Sequence, residues 1–579
     1  MTMLTKWGAA LDRSCPLPEY PRPQLRRESF YNLNGVWDYA VTPSGDEPEV
    51  WDGEIVVPFS PEAPLSGAAR GPAKDEYLHY RRGFTLPEGF QKSRVLLHFG
   101  AVDQIAEVFV NGVSAAKHSG GYWPFSADIT SLLREGENIL RVTVRDNADD
   151  PTFAYGKQRY KRGGMWYTAQ SGIWQTVWLE SVPEVYVKSL RITPEFDEAR
   201  VRIELETALE SSAAITCDVR AADGSFVAGS WAKGGVCVVP LPGFRAWTPD
   251  DPYLYTLDIT CGEDRVESYF AMRKFSYVEL DGHKVFGLNN APLFHNGLLD
   301  QGYYPDGLLT PPSDEAMVND IETMKRCGFN MLRKHIKIEP LRWYYHCDRL
   351  GMIVWQDMVS GGQPYSFLHV SALPTLGKVD LPDKDAKPYG RSGVLSRARF
   401  RREMADTVRL LYNCPCIALW TVFNEGWGQF DALDMANELK KLDPTRFIDH
   451  ASGWQDQGYE EMKSRHIYFR PVKLKNDGRA LALTEYGGYI LAVDGHRWTD
   501  KVFGYRICRD SAALAHDYEK LMLGQVLPHI RKEGLTAAVY TQITDVEEEL
   551  NGLMTYDREV LKIPEETLRE INAALRFDA

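Results

Sequence analysis

The hydrophobic period of this chain changes once, near residue 277, and no other feature limits its fold as tightly. Beyond that point, short apolar runs rich in strand formers alternate with segments of 3.6-residue period. Strands read at 293–299, 329–333, 352–357, 417–423, 447–449, 466–469, 481–485 and 537–541. Helices read at 313–325, where Ser313 precedes early acids and an amphipathic stripe, and at 340–350, 394–412, 432–442 and about 511–533. Such alternation over roughly 300 residues demands a parallel sheet with right-handed crossovers. A closed (β/α)8 TIM barrel fits that length better than a doubly wound sheet, whose G-x-G-x-x-G fingerprint is absent. The stretch 359–391 is long, rich in Gly and Pro and partly basic, as suits a mobile active-site loop.

Before residue 277 the period is two. Strand signals at 35–41, 95–99, 105–110, 138–145 and 173–180 are short and evenly spaced, and Asn111-Gly112 marks a hairpin turn. Residues 1–182 therefore read as a β-sandwich of jelly-roll type. Residues 183–276 repeat the pattern over some ninety positions, with Pro and Gly in the turns, and read as an immunoglobulin-like sandwich without its disulfide. The expected chain is thus multidomain: 1–182, 183–276 and a barrel over 277–579.

Composition narrows the partners. A net charge of −14 opposes binding to nucleic acid or to an anionic membrane. No run of eighteen apolar residues occurs, so no membrane span is expected. The nine cysteines are scattered, with Cys414-Pro415-Cys416 as the one close pair, which is poor zinc spacing. Reduced structural thiols and an N-terminus without a sustained apolar segment give the expectation of a cytoplasmic protein. Oligomeric state is open, with a homo-oligomer among the outcomes.

Two of the barrel strands end alike. Ile417 to Phe423 runs into Asn424-Glu425 and then Gly426-Trp427-Gly428; Leu481-Ala482-Leu483-Thr484 runs into Glu485-Tyr486-Gly487-Gly488. In a TIM barrel both glutamates reach the one face where chemistry is built. An acid beside a dry core costs several kcal/mol unless it is partnered or used. Two carboxylates across one pocket suit glycoside hydrolysis, one as proton donor and one as nucleophile. The plainer alternative is that both cap helices or pair with Arg333. Further candidates at strand ends are Asp300 and Gln301, Asp357, Asp545 and Glu547. Trp427 and Trp454 are candidates for stacking on a sugar ring, and helix capping is an equal alternative for the polar ones.

These motifs make the chain similar to glycoside hydrolase family 2, which holds β-galactosidases, β-glucuronidases and β-mannosidases. Leu33 to Trp37, Tyr80 to Phe84, Val108 to Gly112, Gly121 to Phe125 and Ser171 to Trp174 resemble its sugar-binding jelly roll. Asn330 to His335 and Val354 to Asp357 resemble its early barrel, Asn424-Glu425 its acid/base motif and Thr484-Glu485 its nucleophile strand. The resemblance implies Glu425 as general acid/base, Glu485 as nucleophile, and Asn424 on the sugar 2-hydroxyl. It further implies Arg333 holding the nucleophile ionised, Tyr468 touching it, and His335 on the substrate side. A structural ion pair, a core tyrosine and a satisfied interior histidine remain open for those last three.

The likeness has departures. Lys334 and Ile336-Lys337 break the β-galactosidase pattern, and the Asn-x-Lys expected of β-glucuronidases is absent, which disfavours a uronate. Trp355-Gln356-Asp357 is similar to β-mannosidases. The expectation is a retaining exo-β-glycosidase, β-galactosidase-like, acting on a carbohydrate with no metal and no organic cofactor. The alternatives are a β-mannoside, β-glucuronide or arabinoside substrate, or a carbohydrate-binding protein on an inactive barrel.

Overall fold

A computed structural model describes residues 3–209, 214–375 and 380–577. The first sandwich packs a six-stranded antiparallel sheet, running from Gly53–Val57 at one edge to Val113–Ser119 at the other, against a four-stranded one. Trp37, Tyr80, Leu97 and Val142 fill the space between them. Strand Ile105–Val110 alternates buried and part-exposed residues. Asn111 and Gly112 both take positive φ, which turns the chain back into Val113 in two residues.

The expected strand at 173–180 is broken. Gly172–Ile173 and Val177–Val182 join different sheets, and Trp174 between them turns toward the barrel. Its ring is fully buried, its Nε1 donates to the Gly121 carbonyl at 2.7 Å, and its own carbonyl accepts from Thr310 Oγ1 at 2.7 Å. Burial of that ring and of two backbone polar groups outweighs one or two ladder bonds.

A second sandwich pairs a three-stranded sheet beginning at Val187–Glu195 with a four-stranded one that includes Tyr255–Cys261. Cys217, Cys237 and Cys261 lie reduced in its core. Arg27 staples the two sandwiches. Its guanidinium bonds Asp264 through Nε and Nη2 at 2.9 Å each, Glu180 at 3.0 Å and the Val187 carbonyl at 2.7 Å, all buried. Hairpin Phe275–Leu280/His283–Leu288, which straddles residue 277, then plugs the floor of the third unit, with Phe286 stacked 4.2 Å from Phe447.

That unit is an eight-stranded parallel sheet: β1 (His295–Asp300), β2 (Met331–Lys334), β3 (Ile353–Asp357), β4 (Ile417–Thr421), β5 (Phe447–Asp449), β6 (Met462–Ile467), β7 (Ala480–Gly487) and β8 (Leu535–Thr541). Ladders run β5-β4-β3-β2-β1-β8-β7-β6. At the β5–β6 seam the Ser464 hydroxyl donates to Asp449 and to the Ala451 carbonyl, each at 3.0 Å. The expected helices lie outside, and the one at 511–533 is continuous through a single π-turn at Met522–Val526. The multidomain class read from the sequence, two sandwiches and a TIM barrel, is the observed architecture.

Replacing Arg27 by Met leaves Glu180 and Asp264 buried without their shared cation. We expect a loss of about 3–5 kcal/mol, read as a fall in the denaturant midpoint of the sandwich transition, with the barrel transition moved less.

Candidate active site

Gln301, His335, Asn424, Glu425, Tyr468, Glu485 and Thr541 reach the cleft from the strand ends on one face of the barrel, and Lys157, Tyr365, Ser371, Tyr505 and Glu549 reach it from elsewhere. Glu485 lies on β7 where the ladder slips register, between Leu483 and Tyr486 against β8 and opposite Arg465/His466 of β6. Such a bulge re-aims a side chain, and here it turns the carboxylate into the cleft. Glu425 follows β4 with φ of 54°, a conformation costly for a residue with a Cβ. It is held there by its N–H to the Ser452 carbonyl at 2.9 Å and by Trp454 Nε1, which donates to its carbonyl at 2.9 Å. Gly428 beyond it has no room for a side chain: a Cβ would stand 2.9 Å from the Gly361 carbonyl oxygen.

The hub is Arg333 on β2, fully buried, with all five N–H donors engaged. Nε and Nη2 grip Asp357 at 3.0 Å each. Nη1 reaches Glu485 at 3.0 Å and the Thr484 carbonyl at 3.1 Å, and the second Nη2 hydrogen goes to Asn424 Oδ1 at 2.8 Å. With its oxygen fixed by Arg333, Asn424 keeps its amide N–H groups for the cleft. Tyr468 donates to the other Glu485 oxygen at 2.5 Å. Burial alone would raise the Glu485 carboxyl, but His466, Arg333 and His335 around it and the Tyr468 hydrogen bond outweigh that and hold it well below the usual range.

His466 lies between the two glutamates. Its Nδ1 is 2.9 Å from Glu425 Oε1 and its Nε2 is 3.7 Å from Glu485 Oε1. One oxygen of each glutamate and a ring nitrogen of His466 all lie within 4.8 Å of one another, which makes them the group close enough to share a cation among the described residues. An ion there would occupy the lone pairs that proton transfer and nucleophilic attack require.

The structure brings Glu425, Glu485, Asn424, His335, Tyr468, Gln301 and Trp427 to the cleft wall, with Arg333 directly behind them. It takes five other candidates away. Asp357 is spent on Arg333 and, at 2.8 Å, on His335 Nδ1. Asp300 lies beside Lys334, its ladder partner, and accepts from Nζ at 2.6 Å. Asp545 is tied to Lys562 at 2.6 Å and to the Gly552 N–H at 2.9 Å, and Glu547 to the Thr168 N–H at 2.8 Å. Trp454 touches no cleft surface and acts on the backbone of Glu425. Residues that sequence reasoning missed are His466, two positions before Tyr468 at the end of β6, Lys157, Met165 and Trp166, which reach in from the first sandwich, and Tyr505, Thr541 and Glu549 of the barrel unit. Tyr365, Val370 and Ser371 of the 359–391 stretch cover the mouth; residues 376–379 lie outside the described set. The cleft volume is 40 Å³. A larger cavity of 200 Å³ lies between Trp178 and Leu341; of its three acids, Asp314 is bound to Arg342 and Glu339 to Lys334 and Lys337, while burial raises the Glu19 carboxyl.

Fold and site together define a class: two β-sandwiches on a TIM barrel whose C-terminal face carries paired carboxylates. Three family models match in succession. They are the sugar binding domain of glycosyl hydrolases family 2 over residues 64–183, the model described as glycosyl hydrolases family 2 over 185–273, and the TIM barrel domain of that family over 310–474. The chain belongs to glycosyl hydrolases family 2. The β-galactosidase of Thermoanaerobacter pseudethanolicus is 25% identical over 387 residues, 63% of this chain and 47% of that one. The β-glucuronidase of Homo sapiens is 23% identical over 508 residues, 78% of this chain and 73% of its own. The β-D-glucuronidase of Dictyoglomus thermophilum shares the fold with a TM-score of 0.74 at 19% identity, covering 96% of this chain and 99% of that one. The chain spans just under half the length of the first curated relatives it matches, 47% and 45%.

Arg333→Met strands two buried carboxylates. At neutral pH we expect a loss of about 3–5 kcal/mol by denaturant titration, with the Glu485 and Asp357 carboxyl signals titrating at higher pH by NMR. Both groups are depressed in the folded wild type, so this stabilisation is present above the usual carboxylate range and fades as pH falls toward about 2.

Proposed function

We propose that the protein is a retaining exo-β-glycosidase that removes a terminal, non-reducing β-linked sugar. The observation that carries this is the approach of Glu425 and Glu485 oxygens to within 4.8 Å. That spacing suits the separation of about 5–5.5 Å used for double displacement and falls short of the roughly 6.5–9.5 Å that inversion needs to admit a water. In the first step Glu485, kept ionised by Arg333, attacks the anomeric carbon while Glu425 gives a proton to the departing oxygen. The glycosidic C–O bond breaks and a glycosyl ester forms on Glu485. In the second step Glu425 takes a proton from water, whose oxygen displaces Glu485 with the configuration restored. Asn424, with its free amide donors, is suited to the sugar 2-hydroxyl, and the small closed cleft favours attack on chain ends. No metal or organic cofactor has a part in these steps.

For the sugar, a β-galactoside is the first reading, from the sequence motifs and from relatives that carry the name β-galactosidase. A β-uronide is the second, and one observation favours it: Lys157 places a cation in the cleft lining, where its charge also acts on Glu549. β-Mannosides and arabinosides fit the same mechanism. A carbohydrate-binding protein on an inactive barrel has no need of an ionised Glu485 facing Glu425.

Aryl β-glycosides of these sugars, uronides included, form the test panel. We expect one sugar to be cleaved with the β-anomer released first, Glu485→Gln to fall by orders of magnitude, and Glu425→Ala to yield a β-glycosyl azide in azide. Lys157→Met raises KM for a uronide and leaves a neutral sugar unchanged. Binding without turnover across the whole panel gives the inactive-barrel reading the lead.

A further inference from the structure

His466 is fully buried between the two glutamates, and its hydrogen-bond partners fix where its protons lie. The Thr484 hydroxyl donates to the Arg465 carbonyl at 3.5 Å, and the Ser452 hydroxyl donates to Thr484 Oγ1 at 2.9 Å. With its own hydrogen committed, Ser452 Oγ can only accept from His466 Nε2, 3.2 Å away. Nε2 therefore carries a hydrogen. In a neutral imidazole the other nitrogen is then an acceptor, so the 2.9 Å contact from Nδ1 to Glu425 Oε1 holds one proton between them. The alternative with no proton there sets a lone pair against a carboxylate, 3.7 Å from the Glu485 carboxylate.

The seat is built for this ring. Gly453, next to Ser452, has φ of 93°, and a Cβ there would stand 2.6 Å from the imidazole. Trp454 packs edge-on at 5.5 Å and holds the Glu425 carbonyl at the same time. The charged groups around His466 are Glu425 after β4, Asp449 on β5, Glu485 on β7 and, beyond it, Arg333 on β2.

We propose that His466 is a positioning residue that shares a single proton with Glu425, kept on that bond by the Ser452–Thr484 hydroxyl chain. The inference rests on the reading of Glu425 as acid/base. In the first half-reaction the shared proton passes from Glu425 to the leaving oxygen, and Glu425 is left a carboxylate beside an imidazole still protonated at Nε2. In the second half-reaction a water proton refills the pair.

The test compares wild type with His466→Gln, His466→Asn and Ser452→Ala on two glycosides of the sugar the enzyme cleaves. A dinitrophenyl glycoside leaves without protonation and a methyl glycoside needs it. For the histidine variants we expect kcat/KM on the methyl glycoside to fall about 10²-fold or more and its alkaline limb to move to lower pH by about one unit or more, while the dinitrophenyl glycoside changes only a few-fold. Ser452→Ala, which keeps the ring and removes its anchor, shifts the limb in the same direction by less. Equal losses on both substrates with unmoved limbs, or no loss at all, would overturn the proposal. Azide trapping by Glu425→Ala separates the two ideas: product there with unmoved limbs in the histidine variants sinks only the role of His466, and no product sinks the role of Glu425.

Discussion

Everything at the cleft depends on desolvating one guanidinium. Arg333 has no contact with water, and a buried cation is tolerated only when its charge and every donor are met. Its acceptors come from β3, from the end of β4 and from β7, so the ion is satisfied only if those strands hold their register to a few tenths of an ångström. Two carboxylates surround one cation. Asp357 takes two of the five bonds and is also bound by His335, which leaves Glu485 the less saturated of the pair and the one that faces the cleft. The buried ion pair to Asp357 and the ionised state of Glu485 are here one network.

The two glutamates share a cleft but not an environment. Glu485 is enclosed and surrounded by cationic and hydrogen-bonding groups, whereas the Glu425 side chain is 24% exposed and bonded to a histidine. Environments that separate two carboxylates are what allow one to attack while the other donates a proton. Backbone strain at Glu425 serves that separation. The left-handed turn lifts its side chain away from the Arg333 network, and the bonds from Ser452 and Trp454 stabilise a conformation that the residue alone would leave.

The barrel and its two acids were legible because they rest on local signals: strand period, a polar residue ending an apolar run, and glycines that let the chain turn. Asp300 and Asp545 carry the same local signal and were misread, since what removes them from the cleft is a neighbour in space. Lys334 lies opposite Asp300 in the next strand, and Lys562 returns to Asp545 from a loop seventeen positions on. His466 was readable in principle, being two residues before Tyr468 at the end of β6, yet a histidine there fits a packed interior equally well until its partners are seen. The break at Trp174 was not readable, because an alternating run looks the same whether or not its middle residue leaves the sheet to pack on another domain.

Lys157 and Trp166 could not be found by any local rule, and the reason bears on how such a site diversifies. They come from the stretch 154–174 of the first sandwich, which is bound to the barrel through Tyr155 and Gly156 on the Ser360 carbonyl, Tyr167 on Glu549 and Thr168 on Glu547. Trp166 meets Trp427 edge-on at 5.1 Å, so sandwich and barrel meet in the wall of the cleft, to which the sandwich contributes Lys157, Met165 and Trp166. Glu485 and Asn424 are held by Arg333 in the barrel network. The groups from the sandwich carry no part of that network and are free to vary without disturbing the register of the barrel strands. The paired carboxylates therefore belong to the barrel, and the rest of the cleft wall is shared with the first sandwich across an interface between domains.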